Sequence, residues 1–304
     1  MSQIYIGKII KETRIRLGYV QEDLCIGDLD LTTISRIESG LHIPHNSVIK
    51  KIFAQMDMRI PVNLIQVSDE EFERYQLQSE IEAKIYDKDA NLDSLAERFR
   101  NFGIPMDEFD NQLYFFAKGM AQKQHGNLDV AKDLFYKAIK MTILDFVPDY
   151  DFYKRHAMHE KELRILIELA FVDCALGNAT ISEYYLQFLL YYTENGLMNE
   201  NFRITLRLRV ICGLCEAKET LGDYQKMLDY ASAGISYCID KDSLRCLSDF
   251  FYFKARAYAY KNEFDSAKNS FMLCGILLEN QGKKSELALR IQAMRVDFGL
   301  ETDW

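Results

Sequence analysis

Proline is scarce in this sequence, with four residues in 304. Helices are therefore rarely interrupted, because it is proline that removes a backbone donor and clashes with the preceding turn. Val and Thr are sparse, and no stretch alternates apolar and polar residues, which excludes a sheet-based fold. No apolar run is long enough to span a bilayer. The first residues, "MSQIYIGKIIKETRIRLG", break their apolar content with Lys, Glu and Arg every few positions. That pattern excludes a signal peptide and makes the cytoplasm the expected location. Enzyme signatures are missing as well: no GxxxxGK[ST], no GxSxG, no HExxH and no Gly-rich dinucleotide turn. No enzyme, cofactor or metal is expected. What is present is an ordinary globular composition, 48% hydrophobic and 27% charged, in a chain long enough for a small domain plus a larger one.

Seven cysteines include a CxxC at Cys212 and Cys215, and His156 and His159 form an HxxH. A zinc site usually takes two such pairs from turns or loops. Here the CxxC falls inside "RITLRLRVICGLCEAKETLG", which reads as helix, and no βαβ pattern supports a redox motif. The cysteines are therefore expected to be small core residues in a reducing compartment.

Charge divides the chain. Residues 1–60 carry eight Lys/Arg and seven Asp/Glu, net +1, and the remainder is net −10, making the total −9. An acidic body argues against non-specific coating of nucleic acid, but leaves room for one near-neutral module that docks on DNA.

Within that module, Ile6, Ile9, Ile10, Ile15 and Leu17 read as one apolar face of a helix stopping at Gly18. A short second helix starts at "QEDLC", and "IGDLD" is a turn. Asp30 or Thr32 can cap the next helix, whose Ile34 and Ile37 point inward and which Gly40 closes. Two short helices joined by a tight turn, after a longer one, spell helix-turn-helix. The stretch "IKETRIRLGYVQEDLC…ISRIESG…P" resembles the Cro/phage-repressor type of this motif over roughly residues 4–60. The resemblance implies that Gln21 bonds a phosphate, that Thr32, Thr33 and Arg36 face the major groove with Ser35 nearby, and that Arg14 and Glu38 form an internal ion pair. An Arg can bind guanine O6 and N7 with two hydrogen bonds. Leu31 stands where that family often has a polar residue, and either touches a thymine methyl or packs. The following "LHIPHNS" has no Lys or Arg, so backbone contacts there would rest on His42, His45, Asn46 and Ser47.

The rest of the chain repeats itself. "LYFFAKGMAQKQHGNLDVAKDLFYKAIK" sets Gly119, Gly126, Ala131, Phe135 and Ala138 at tetratricopeptide spacing, and "FKARAYAYKNEFDSAKNSFMLC" repeats it with Ala255, Tyr258, Asn262, Ala267 and Phe271. Weaker copies turn at Gly177 and Gly222. Turn positions 126, 177, 222 and 262 lie 51, 45 and 40 residues apart. The consensus repeat is about 34 residues, so helices or connections must be longer. The expected fold is all-α: a five-helix repressor-type domain over 1–64, then a right-handed superhelix of tetratricopeptide-like pairs over 65–304. The last helical stretch, from Ser285 on, either caps the stack or pairs with a second chain.

A repressor-type head followed by degenerate repeats is similar to the peptide-pheromone-responsive regulators of Gram-positive bacteria, the Rgg, PlcR and PrgX group. The resemblance implies quorum sensing: a homodimer that binds a short signalling peptide in the repeat groove and reads a pseudo-palindromic double-stranded DNA operator. In the repeat register, the concave face falls on Leu113, Phe116, Met120, Lys123 and Gln124, then Arg164 and Phe171, Arg209 and Glu216, and Tyr252, Arg256 and Tyr260. Arg or Lys would clamp a peptide carboxylate, aromatics would take its apolar side chains, and amides its backbone. The alternative is a helix-turn-helix regulator whose repeats bind a protein partner.

Overall fold

The computed structural model describes residues 2–27, 29–42, 44, 46–56, 69–103, 105–144, 146, 158–196 and 198–300. Among these residues the chain is fourteen α-helices and one 3-10 turn, with no strand. It divides into two compact units, 1–84 with 97–105, and 85–96 with 106–304. The expected boundary at residue 64 lies outside the described residues.

The first unit opens with α1 (Ser2–Arg16), the 3-10 turn Gln21–Leu24, α2 (Leu31–Glu38) and α3 (Asn46–Gln55), and continues to α4 (Asp69–Lys84). Ile10, Leu24, Ile34, Ile37, Ile52 and Phe53 form its core. Full burial of each such side chain is worth about 1.5–3 kcal/mol. The backbones of α1 and α2 touch: a Cβ on Gly7 would lie 1.8 Å from the Ile37 carbonyl oxygen. Asp30 caps α2 by accepting a hydrogen bond from the Thr33 amide at 2.7 Å. Gly40, at φ +74°, ends it.

Two expectations need correction. The second helix is a single 3-10 turn, because Asp23 bonds back to the Val20 amide and the extended Cys25 and left-handed Gly27 stop propagation. Ile15 and Leu17 are exposed, at 58% and 43%. At 100° per residue, Ile15 sits about 140° around the helix from buried Ile10, and Thr13 and Arg14 take the inward place. Residues 57–68, where a fifth helix of the head would fall, lie outside the described residues.

In the second unit the helices come as antiparallel pairs: α6 (Glu108–Gln124) with α7 (Leu128–Thr142), α8 (Glu160–Ala175) with α9 (Ala179–Asn195), α10 (Glu200–Thr220) with α11 (Tyr224–Asp240), and α12 (Leu247–Tyr260) with α13 (Phe264–Asn280). The first helices also meet one another, α8 with α10, α10 with α12, and α12 with the final α14 (Lys284–Phe298), so they form an inner layer. α5 (Leu92–Arg100) is divided between the units, 92–96 belonging to the second and 97–100 to the first.

One local device makes every pair. Gly126, Gly177, Gly222 and Asn262 all have φ between +62° and +84°. In each case the next residue's amide reaches back to a carbonyl five positions earlier, such as Asn127 to Gln122 at 2.9 Å and Glu263 to Tyr258 at 2.9 Å. This is the Schellman turn, which satisfies the last carbonyls and reverses the chain. Packing then follows from size. A Cβ on Gly119 would come within 2.5 Å of the Phe135 ring, and one on Gly234 within 2.5 Å of Phe250. The wide spacing comes from a 21-residue α10 and from the long connection between α7 and α8. α14 lays Leu287 and Met294 against the last pair and leaves Leu289 and Val296 exposed.

Candidate functional site

In the head, a buried ion pair fixes α2. Arg14 donates from Nε to Glu38 Oε1 at 2.6 Å and from Nη2 to Oε2 at 3.0 Å, and from Nη1 to the Tyr19 carbonyl at 2.9 Å. Burial pulls the Glu38 carboxyl up, but the bonds from Arg14 and Gln21 outweigh it and hold it below the ordinary range. The Gln21 amide nitrogen is spent here, donating to Glu38 Oε2 at 2.6 Å. Its placement makes Gln21 a lock between the 3-10 turn and α2.

α2 then presents Leu31, Thr32, Ser35 and Arg36 to solvent, with Thr33 half-buried. Among the described residues the Arg36 side chain has no partner. His42 is exposed, His45 lies outside the described residues, and so do the side chains of Asn46 and Ser47 at the start of α3.

Two cavities run along the inner helices of the repeats. The larger, about 1020 Å³, is lined by Tyr86, the first halves of α8 and α10, and residues 241–245. Arg164, Arg209, Lys241 and Arg245 face Glu160 and Asp242 there, an excess of positive charge, beside Asn199, Asn201 and Phe202. Arg209 is already paired: it and Lys123 both bind Glu168, Lys123 at 2.6 Å. The Arg209 guanidinium lies 4.6 Å over Tyr86 and 5.5 Å from Phe171. Burial raises the Glu168 carboxyl, but the two cations prevail and keep it low. Arg164 has no carboxylate partner among the described residues; its guanidinium lies 5.2 Å over Phe202. Arg245 donates to the Thr205 hydroxyl at 2.6 Å.

The smaller cavity, about 430 Å³, lies along the second halves of α8, α10 and α12, with Phe171, Glu216, Glu219, Arg256 and Tyr260 among its walls. Glu216 is exposed to solvent at its outer side, yet desolvation by the protein around it and the Asp249 and Glu219 carboxylates push it up to about 7 against the pull of Lys123. Arg256 is fully engaged. It binds Glu219, Asp297 at 2.7 Å, and the Tyr252 and Tyr260 hydroxyls at 3.3 and 3.2 Å. Tyr260 stacks on Tyr224 at 4.0 Å.

The expected groove residues thus divide. Arg164 and Arg209 line the larger cavity, and Phe171, Glu216, Arg256 and Tyr260 the smaller. Lys123 and Tyr252 belong to the ion-pair and aromatic clusters between them, and the Gln124 amide donates to the Asp87 carbonyl at 2.9 Å. Phe116 and Met120, at 2% and 6% exposed, are core residues instead, as is Leu113; Phe116 packs on Phe135. Glu168 went unforeseen, although it shares the i, i+4, i+7 face of Arg164 and Phe171. Asn199, Asn201 and residues 241–245 gave no sequence signal, since only folding brings those loops to α8.

No protein-family model matches the sequence, and no curated protein does. Fold and site together define an all-helical chain of the class that joins a helix-turn-helix head to tetratricopeptide-like repeats. Solved structures of that build resemble it along nearly their whole length. Bacillus thuringiensis PlcR, crystallised with the peptide PapR7 and DNA, is 16% identical, with a TM-score of 0.59 over 93% of this chain and 98% of that one. The SHP pheromone receptor Rgg2 of Streptococcus dysgalactiae is 13% identical, with a TM-score of 0.56 over 96% and 99%. The competence regulator ComR of Streptococcus vestibularis, in its apo form, is 12% identical, with a TM-score of 0.51 over 99% and 100%. At these identities the likeness establishes the fold. Among the described residues no helix is long and apolar enough to cross a membrane.

Proposed function

We propose that this chain is a sequence-specific DNA-binding transcriptional regulator whose repeats bind a short linear signalling peptide. The head, residues 1–64, reads a pseudo-palindromic operator, and residues 65–304 hold the peptide and the homodimer contact. The observation that carries the peptide reading is the larger cavity. It offers a cation without a carboxylate partner, Arg164, beside two amides and the Phe202 ring. A terminal or side-chain carboxylate suits the first, a peptide backbone the second and an apolar side chain the third. Its volume is at the upper end of small-ligand sites, which run to roughly 1,000 Å³. A folded protein partner would prefer a broad apolar face, whereas this inner surface is laced with ion pairs. Exposed Met272, Leu273, Ile276, Leu289 and Val296 on the last two helices support a dimer contact there.

The deciding experiment is titration of the purified chain with short peptides from small reading frames beside its gene, followed by footprinting. One peptide that binds tightly and alters the footprint supports the reading. DNA binding that no peptide alters would favour the protein-partner alternative.

A further inference from the structure

Two cysteines far apart in sequence meet next to Arg245, a lining residue of the larger cavity. Cys212 sits in the middle of α10 and is buried; Cys246 caps the start of α12 and is half-buried. Their sulfurs and an Asp249 oxygen all lie within 4.8 Å of one another. Cys246 is held in the left-handed region, φ +57°, which a non-glycine residue rarely adopts. A metal ion fits this trio poorly. Asp249 is already bound to Arg290, which also grips Glu286, so a dication would have to displace a guanidinium.

The thiols are unequal. A hydrogen bond from Cys212 holds the Cys246 thiol below its ordinary range despite burial, while burial pushes Cys212 well above it. Burial also raises Cys215 and Cys274, and takes Cys238 up to about 12. Cys238 donates to the Arg245 carbonyl at 3.2 Å. A partly accessible thiol, acidified by its neighbour and lying beside a second, buried thiol, is an arrangement that oxidises selectively and then resolves.

We propose that Cys246 and Cys212 are a peroxide-oxidisable dithiol that closes to a disulfide between α12 and α10. The Cys246 thiolate attacks one oxygen of hydrogen peroxide and the O–O bond breaks. Cys246 becomes a sulfenic acid, and the departing hydroxide takes a proton to leave as water. The Cys212 sulfur then attacks the Cys246 sulfur. Its proton goes to the hydroxyl, which leaves as a second water. Two thiols lose two electrons and one peroxide gains them. The new bond ties the end of residues 241–245, which line the larger cavity, to the helix opposite. This thiol chemistry does not rest on the proposed function.

The test treats the reduced full-length chain with equimolar hydrogen peroxide, blocks remaining thiols with iodoacetamide and maps the peptides by mass. The expected result is loss of both thiols together, with a 212–246 crosslink formed before Cys25 is modified. Amides of 241–246 should exchange more slowly in the oxidised chain. Cys212→Ser should stop at the sulfenic acid, trapped by a 1,3-dione, and Cys246→Ser should give no crosslink. In the unmutated chain, a first disulfide elsewhere, or Cys246 alkylating no faster than Cys25, would overturn the proposal. So would protection of both thiols by equimolar zinc, which would mark a metal site instead.

Discussion

Replacing Arg14 by Ala tests the head most directly. Arg14 and Glu38 have side chains only 10% and 3% exposed, and the pair forms two hydrogen bonds. Breaking a buried pair from one side costs about 3–5 kcal/mol, because the other charge is left desolvated. Gln21 still donates to Glu38, so the lower end of that range, about 3 kcal/mol, is expected. For a domain of 60–100 residues each kcal/mol moves Tm by about 4–8 °C, so the head should melt more than about 12 °C lower. The pH dependence should weaken as well. In the unmutated head Glu38 is held below its unfolded value. Its stabilisation is therefore present above about pH 4.3 and lost as pH falls through the lower folded value. In Arg14→Ala the pull of that guanidinium is lost while Gln21 still donates, so the loss of stability on acidification should be smaller than in the unmutated head, and the variant should recover when Glu38→Gln is added. The assay is thermal unfolding between pH 4 and 8, with hydrogen exchange on α1 and α2 assigning the transition to the head. An unchanged melting curve, or a double variant worse than Arg14→Ala, would refute the reasoning.

Arg36→Ala should lower affinity for the specific operator by about 1–3 kcal/mol and leave non-specific binding nearly unchanged; equal losses in competition assays would make Arg36 a phosphate contact. Gly119→Ala forces a methyl to within 2.5 Å of Phe135 and should cost about 1–3 kcal/mol in chemical denaturation; a neutral substitution would contradict the close approach of α6 and α7. Glu216, pushed up to about 7, opposes folding while ionised, so this strain is full above that pH and relieved as pH falls toward the unfolded value. Glu216→Gln should flatten the slope of stability between pH 5 and 8, and an unchanged slope would show that the group titrates normally. Arg164→Ala should weaken peptide binding in calorimetry without lowering Tm, whereas Arg256→Ala should lower Tm; the opposite pattern would reverse their roles.

Much was legible because it is local. Gly126, Gly177, Gly222 and Asn262 marked the turns since the left-handed geometry they adopt is a property of a few residues. Gly119 and Phe135 stood at the spacing of the repeat, and the two meet across the first pair. The pairing of Arg14 with Glu38 was implied by the resemblance to the repressor-type motif. The second helix of the head is shorter than its residues suggest because "QEDLC" runs into the extended Cys25 and the left-handed Gly27, which stop propagation after one turn.

Which residues line the inner cavities was only partly legible. Helical periodicity says which residues share a face, but not which neighbour that face meets. Phe116 and Met120 satisfy the same spacing as Phe171, yet pack inside the first pair. Arg164, Arg209 and Arg256 looked alike as isolated cations. Folding brought Glu168 to Arg209, and Glu219 and Asp297 to Arg256, and left Arg164 without an acid. The meeting of Cys212 with Cys246 has the same origin. The sequence alone determined most of the helices and the reversals of the repeats, because these follow from steric preferences over a few residues. The charges still open to a ligand, and the thiols within reach of each other, were decided by tertiary structure, because desolvation and pairing depend on residues some 40 positions apart.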